Sequence, residues 1–266
     1  MSAPGRIAPA PPPTWRVAAA SVRGASHERL SLPCQDAHQW ALLPDSFLVA
    51  AVADGAGSAL LAEIGAAVAV SATIEAARRR FTQLKLPNLK DDSAWHELLK
   101  ELLSGAREAV EQEANSRALP ARDLACTLSL VIATTDFAAS IQVGDGAVLV
   151  ATPQGEMTLV NRPVQGECLN ETIFLTSPEA LEHAQTGLWR GHLGHVAVFS
   201  DGLQMAALRM PAAEPHPGFF TPLFQFVGGQ AEGPEAHEAL ANFLTSPRLR
   251  DRTDDDVTLL LAALLP

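Results

Sequence analysis

Cysteine is scarce in this 266-residue chain: Cys34, Cys126 and Cys168 are all it has, an odd number with no CxxC spacing. That argues against a disulfide framework and against a thiolate zinc site. It leaves inert or buried thiols in a reducing compartment. Long apolar runs are missing as well. No stretch approaches the roughly 20 residues needed to span a bilayer. Residues 1–14, rich in Ala and Pro, lack the continuous apolar centre of a secretion signal. They read as a disordered tail, residues 15–266 as a single domain, and the location as cytoplasmic. Basic residues are also outnumbered: 19 Lys and Arg stand against 30 Asp and Glu, for a formal net charge of -11. Nucleic acid requires a basic face, and an anionic membrane surface disfavours such a chain for the same reason. Neither is an expected partner. An acidic protein can still hold an anion where metal ions supply the positive charge.

What is present is a large apolar fraction, 47%, enough for a sizeable core. Trp15 to Val22 reads as a strand, Gly24 to Pro33 as a loop and Gln39 to Leu43 as a short strand. Phe47 to Ala53 is an apolar run of strand length. Ala59 to Phe81 reads as a helix with Ser58 as N-cap and basic residues at its C-terminus. A second helix, capped by Asp92 or Ser93, runs to about Ser116 on the apolar spacing of Leu98, Leu99, Leu102, Leu103 and Ala106. Cys126–Thr134, Ala138–Val143 and Ala147–Thr152 read as three strands with short turns. Further strands are expected at Thr172–Thr176, His195–Ser200 and Val257–Leu264. Helices are expected at Leu203–Met210 and Pro234–Thr245. Pro211–Gly218 and Gly228-Gly229 read as loops and Ser177-Pro178 as a turn. The order is α+β, without regular βαβ alternation.

Several aspartates share one structural address. Asp54 and Asp201 each follow an apolar strand, Asp145 sits between two strands, Asp255 precedes the last one, and Asp36 precedes Gln39–Leu43. Taken singly, Asp-Gly is a turn dipeptide. Taken together, carboxylates on one sheet rim would repel and raise one another's pKa unless cations intervene. Hard oxygen-rich sites select Mg²⁺ or Mn²⁺, and a pair of such ions can clamp a phosphoryl group. His192 and His195 share an HxxH spacing that lacks a third ligand, so a zinc site is not inferred.

These motifs, in order, resemble those of the metal-dependent protein phosphatases of type 2C. Cys34-Gln35-Asp36-Ala37-His38 resembles the first acidic motif, and Asp54-Gly55-Ala56-Gly57 the DGxG motif. Thr127-Leu128 with Val143-Gly144-Asp145-Gly146 resembles the central stretch. Ser200-Asp201-Gly202-Leu203 and Asp255-Asp256-Val257-Thr258 resemble the last two. The resemblance covers residues 15–266. It implies two antiparallel sheets stacked face to face and flanked by helices, a four-layer α/β/β/α sandwich. It implies Asp54 bridging two Mn²⁺ or Mg²⁺ ions and the Gly55 carbonyl on one of them. Asp201 and Asp255 would complete the other, and Asp36 would hold metal-bound water. Asp145 with Asp201 would take a third, weaker ion. The implied reaction is direct attack of a metal-bridging water on phosphoserine or phosphothreonine of other proteins, in a monomer opposed by a Ser/Thr kinase.

Departures bear on the phosphate. The Arg that many members carry before the first motif is Ser31 here, with Arg29 out of register. Ala56 replaces a His of animal members, and Gln35 replaces an acid. Ser26 and His27 resemble a Ser-His pair of a bacterial branch and are candidate phosphate donors. The competing reading is a non-catalytic or weakly active signalling module on the same fold. A two-metal phosphodiesterase is disfavoured because no motif supplies His ligands.

Overall fold

The way successive strand residues divide between two faces decides how the layers stack. Strand β3 (Phe47–Ala53) is buried at every position. Leu48, Ala50 and Val52 enter one apolar cluster, and Val49, Ala51 and Ala53 another, as the two-residue period of a strand requires. Strand β12 (Val257–Leu265) divides likewise: Leu260 and Ala262 join the first cluster, Leu259, Leu261 and Ala263 a third. Continuous apolar runs of this kind belong to strands covered on both faces.

The computed structural model describes residues 13–83, 86–163, 172–229 and 233–265. One sheet has the order β1 (Thr14–Val22), β12, β9 (His195–Phe199), β6 (Ala147–Ala151), β7 (Met157–Asn161). The other has the order β2 (Ala37–Leu43), β3, β4 (Leu128–Thr134), β5 (Phe137–Val143), β8 (Gln185–Arg190). Every pairing in both is antiparallel. Helices α2 (Ala62–Gln83) and α3 (Asp92–Ser116) cover the second sheet, burying Ala66, Ile74, Leu99 and Leu103 against it. Helices α6 (Pro217–Gly229) and α7 (Pro234–Leu244) cover the first with Phe220, Phe224 and Leu240. The expected α+β sandwich of four layers is what forms. Short helices α1 (Ala25–Leu30), α4 (Ala180–His183), α5 (Gln204–Ala207) and α8 (Pro247–Arg250), and a ribbon of β10 (Leu208–Arg209) with β11 (Glu214–Pro215), fill the connections.

Several local expectations change. Strand β1 begins at Thr14, inside the stretch assigned to the tail, and residues 1–12 lie outside the described residues. Helix α1 replaces part of the expected Gly24–Pro33 loop. Asp91 caps α3, accepting from the Ala94 amide at 3.1 Å, one residue before the expected cap. Helix α2 starts at Ala62, so Ser58 lies in the preceding turn. Strand β4 starts at Leu128, two residues inside the expected strand. Segment 217–229, read as loop at both ends, is the helix α6: Pro217 stands at its start, where its missing N–H costs nothing. Phe220, Leu223, Phe224 and Val227 bury a helical stripe despite Pro222. The expected helix at 203–210 is confined to α5 and gives way to β10 before Pro211. The strand expected at 172–176 is irregular there, tied by the Leu175 amide to the Cys126 carbonyl at 2.7 Å. Strands β7 and β8, not foreseen, lie at the sheet edges and are mostly half-buried. Strands β5 and β6 are not a hairpin: they belong to different sheets, so Gly144-Asp145-Gly146 carries the chain across the sandwich.

Candidate metal centre

Register puts the acids at one end of the sandwich. In the second sheet Ala37 pairs with Ala53, so Asp36, just before β2, and Asp54, just after β3, flank the same pair of strand ends. In the first sheet Leu259 pairs with Phe199 and Val257 with Val22, so Asp201 and Asp255 flank neighbouring strand ends. Phe199 also pairs with Ala147, which brings the crossing turn and its Asp145 to that rim. Gly144 makes the turn with a φ of 102°, and a Cβ there would lie 2.4 Å from Thr127 Cγ2; only glycine takes this path without strain. Thr127 itself clamps Asp54. Its hydroxyl accepts from the Asp54 amide at 2.9 Å, and its amide donates to the Asp54 carbonyl at 2.7 Å. The Gly55 amide donates to the Gln35 carbonyl at 3.1 Å, joining the two acidic motifs through backbone.

The carboxylates act on one another's charge. Burial, then the charges of Asp36, Asp201 and Asp255, push Asp54 far above the usual carboxylate range. Burial also raises Asp36, with Asp256 adding repulsion and the Thr258 and Ser200 hydroxyls partly offsetting it. Burial raises Asp201, with Asp145 and Asp255 adding to it against a hydrogen bond to Asp54. Like charges taken out of water cannot all stay ionised without a compensating cation. Among the described residues, Asp36 Oδ1 and Asp201 Oδ1 are buried with no hydrogen-bond partner, and buried polar atoms require one. Several anionic oxygens at one rim, two of them unsatisfied, fit a hard divalent cation. Among the described residues, no three or more His, Cys, Asp or Glu side chains stand in an arrangement that could hold a metal ion as it is.

A supporting shell went unassigned in the sequence. Ser200 Oγ donates to Asp36 Oδ2 at 2.8 Å and accepts from the Thr258 amide at 2.9 Å. The Thr258 hydroxyl donates to Ser21 Oγ at 2.7 Å, and Ser21 Oγ lies 2.8 Å from His38 Nδ1. Asp256, 2% exposed, accepts from the amides of Gly24 at 2.7 Å and Gln35 at 2.5 Å. It ties the α1 loop, the first acidic motif and the start of β12 into one knot. Ser200 and Thr258 were visible as motif letters. Asp256 beside Asp255 was not separable by sequence: Asp255 is exposed to the rim and Asp256 buried beneath it. Gln204 Nε2 donates to the Asp145 carbonyl at 2.7 Å and Thr172 Oγ1 to Asp145 Oδ2 at 3.0 Å.

The phosphate candidates are engaged elsewhere. Ser26 Oγ donates to the Asp254 carbonyl at 2.6 Å. His27, 8% exposed, has Nδ1 2.9 Å from Asp256 Oδ1, a close approach without the alignment of a directed hydrogen bond. Arg29 pairs with Asp254 at 2.9 Å, and Ser31 ends α1 at a φ of 57°. Ala56 is buried, its amide on the Ala125 carbonyl. His195 stacks on Phe224 while His192 approaches Asp136 at 3.3 Å, so their side chains go to different partners. Burial pushes the Cys126 thiol up to about 12 and the half-buried Cys34 thiol up as well, so both are poor nucleophiles. Cys168 lies outside the described residues.

Comparison with known proteins agrees with this geometry. The family model described as protein phosphatase 2C matches residues 23–245. Serine/threonine-protein phosphatase 3 of Escherichia coli (strain K12) is 36% identical over 255 residues, covering 94% of this chain and 98% of that protein. The serine/threonine phosphatase Stp1 from Staphylococcus aureus superposes with a TM-score of 0.60 at 12% identity, covering 93% of this chain and 94% of that one. PppA of Pseudomonas aeruginosa superposes with a TM-score of 0.58 at 19% identity, over 95% and 98% of the two chains. RsbX, solved in complex with magnesium, gives 0.55 at 16% identity, over 94% and 95%. The last three similarities concern the fold; the family match and the bacterial relative go further, and on their strength this chain belongs to the protein phosphatase 2C family.

Proposed function

We propose that the chain is a protein-serine/threonine phosphatase that hydrolyses phosphoserine and phosphothreonine monoesters with two Mn²⁺ or Mg²⁺ ions held on the acidic rim. The observation that carries the reading is the pair of buried, unsatisfied oxygens Asp36 Oδ1 and Asp201 Oδ1 around a strongly raised Asp54. Asp54 and the Gly55 carbonyl would hold the ions, with Asp201 and Asp255 completing the set and Asp36 behind them. Asp145 with Asp201 would take a third, weaker ion. When bound, the ions supply positive charge to the phosphoryl oxygens and lower the pKa of water. The chain's own part is orientation. Thr127 fixes the Asp54 backbone, Ser200 fixes Asp36, and Asp256 sets the spacing between the first and last acidic motifs. Ser26 and His27 would have to leave Asp254 and Asp256 to contact phosphate, so most of its charge would fall to the ions. Magnesium in a protein of the same fold supports the choice of ion. The same reading makes residues 15–266 one domain that acts as a cytoplasmic monomer on phosphoproteins, opposed by a Ser/Thr kinase. Among the described residues no helix is long and apolar enough to cross a membrane.

The test is hydrolysis of a phosphothreonine peptide by purified protein with Mn²⁺ or after chelation. Activity is expected only with metal, and Asp54→Asn is expected to abolish it. Full activity after chelation, or in that variant, overturns the reading.

A further inference from the structure

Among the described residues, the helical layer over the first sheet is not filled. Between α6, α7 and α8 lies a cavity of about 380 Å³, within the range of small-molecule sites, which are mostly apolar with a few placed polar groups. Its walls are Phe219, Leu223, Phe226, Leu240 and Phe243. Two exposed arginines, Arg248 and Arg252, line the same cavity. The other arginines of this neighbourhood are paired with acids: Arg250 with Glu28 at 2.7 Å and Arg29 with Asp254 at 2.9 Å. Arg252 instead donates to the Met205 carbonyl at 3.3 Å. Among the described residues, neither Arg248 nor Arg252 has a hydrogen bond or ion pair to a carboxylate. In a chain of net charge -11, two such cations beside an aromatic-lined hole complement a ligand with an apolar body and one anionic head. A neutral apolar ligand would leave the guanidinium groups unused, and a cation would be repelled.

Two walls of the cavity belong to segments that lead along the chain to the acidic rim. Ala206, on α5, lines it, and α5 follows directly on the turn that carries Asp201. Leu249 and Arg252 line it from α8 and the segment that leads to Asp255. The Arg252–Met205 hydrogen bond joins these two segments. We propose that this cavity binds a small amphipathic anion, of the class of a medium-chain carboxylate, and that its occupancy alters the placement of Asp201 and Asp255. The binding site stands on the cavity alone; the effect on the rim rests on the phosphatase reading.

Decanoate is the probe, with decanol as its uncharged counterpart, followed by titration calorimetry on the full chain. Saturable binding of one decanoate per chain, at least tenfold tighter than decanol, is expected. Arg248→Ala with Arg252→Ala should remove that preference. Ala239→Trp adds bulk at an exposed lining position of α7. It should abolish decanoate binding while leaving basal phosphatase activity unchanged. Saturating decanoate should shift the Mn²⁺ concentration for half-maximal activity at least threefold, and Ala239→Trp should erase the shift. Absent or non-saturable binding overturns the site whatever the activity. Decanol binding as tightly as decanoate overturns the anion assignment and points to an apolar protein segment instead. Decanoate binding with no change in metal dependence overturns the coupling, and loss of all phosphatase activity without decanoate is the separate failure of the functional reading.

Discussion

Asp36 owes its place to two neighbours that carry no charge. Ser200 spends its proton on Asp36 Oδ2 and its lone pair on the Thr258 amide. Replacing it with alanine takes a donor from the buried Asp36 carboxylate and the acceptor from the buried Thr258 amide at once. Each such loss costs about 1–3 kcal/mol, and loss of a ligand's outer partner typically weakens metal affinity or activity about 10–100-fold. Ser200→Ala is therefore expected to lower the melting temperature and to raise the Mn²⁺ concentration needed for half-maximal activity by about tenfold or more. A variant that melts lower but titrates Mn²⁺ like the parent would show that Ser200 serves only the fold. This residue was legible as a letter of a motif, yet its role was not. A serine beside an aspartate has no signature in one sequence that separates a partner for Asp36 from an ordinary strand-end hydroxyl. Asp256 is the same case: two adjacent aspartates with one buried and one facing the rim differ only in their neighbours across the fold.

At the scale of elements, the rim is held by backbone meeting backbone. A Cβ on Gly202 would lie 2.1 Å from the Asp256 carbonyl oxygen, so neither strand end can yield without moving Asp201 relative to Asp255. Gly57, also within an acidic motif, has no neighbour among the described residues within 4 Å of such a Cβ. Gly202→Ala is expected to cost about 1–3 kcal/mol by overpacking and to weaken Mn²⁺ activation. Gly57→Ala should leave both nearly unchanged. Equal effects in thermal melts and Mn²⁺ titrations would refute this account of the rim. The strands that carry these turns were readable because burial on both faces makes β3 and β12 continuous apolar runs that stop at Asp or begin after it. Helix α6 was hidden by Pro222 and its terminal glycines, whose local preference is outweighed by four buried apolar side chains. Strand β8 was hidden because an edge strand with every residue half-buried or exposed has no apolar run. That β5 and β6 lie in different sheets is a tertiary fact, and three-residue turns make hairpins and crossings alike.

For the whole molecule, the raised carboxylates set a direction for stability against pH. Asp36, Asp54 and Asp201 are all raised, chiefly by burial, so the folded chain binds these protons more tightly than the unfolded chain. A raised group contributes stability that is fully present below the ordinary carboxylate pKa, near 4, and is lost as pH rises through the raised value. The net charge of -11 adds self-repulsion in the same direction. Metal-free protein should therefore melt at progressively lower temperature from about pH 5 to about pH 8, the interval above the ordinary carboxylate range. Divalent cations act oppositely: a ligand at a hundred times its Kd stabilises by about 2.7 kcal/mol, and it binds best when the carboxylates are ionised. The melting increment from Mn²⁺ should thus grow with pH. In Asp54→Asn the most strongly raised group is gone, so the metal-free pH slope should flatten and the Mn²⁺ increment should shrink together. Differential scanning calorimetry across that pH range, with Mn²⁺ and with chelator, separates the cases. A metal-free melting temperature that climbs over the interval, or an increment untouched by Asp54→Asn, would mean that the acids on the rim are not the groups the cations answer to.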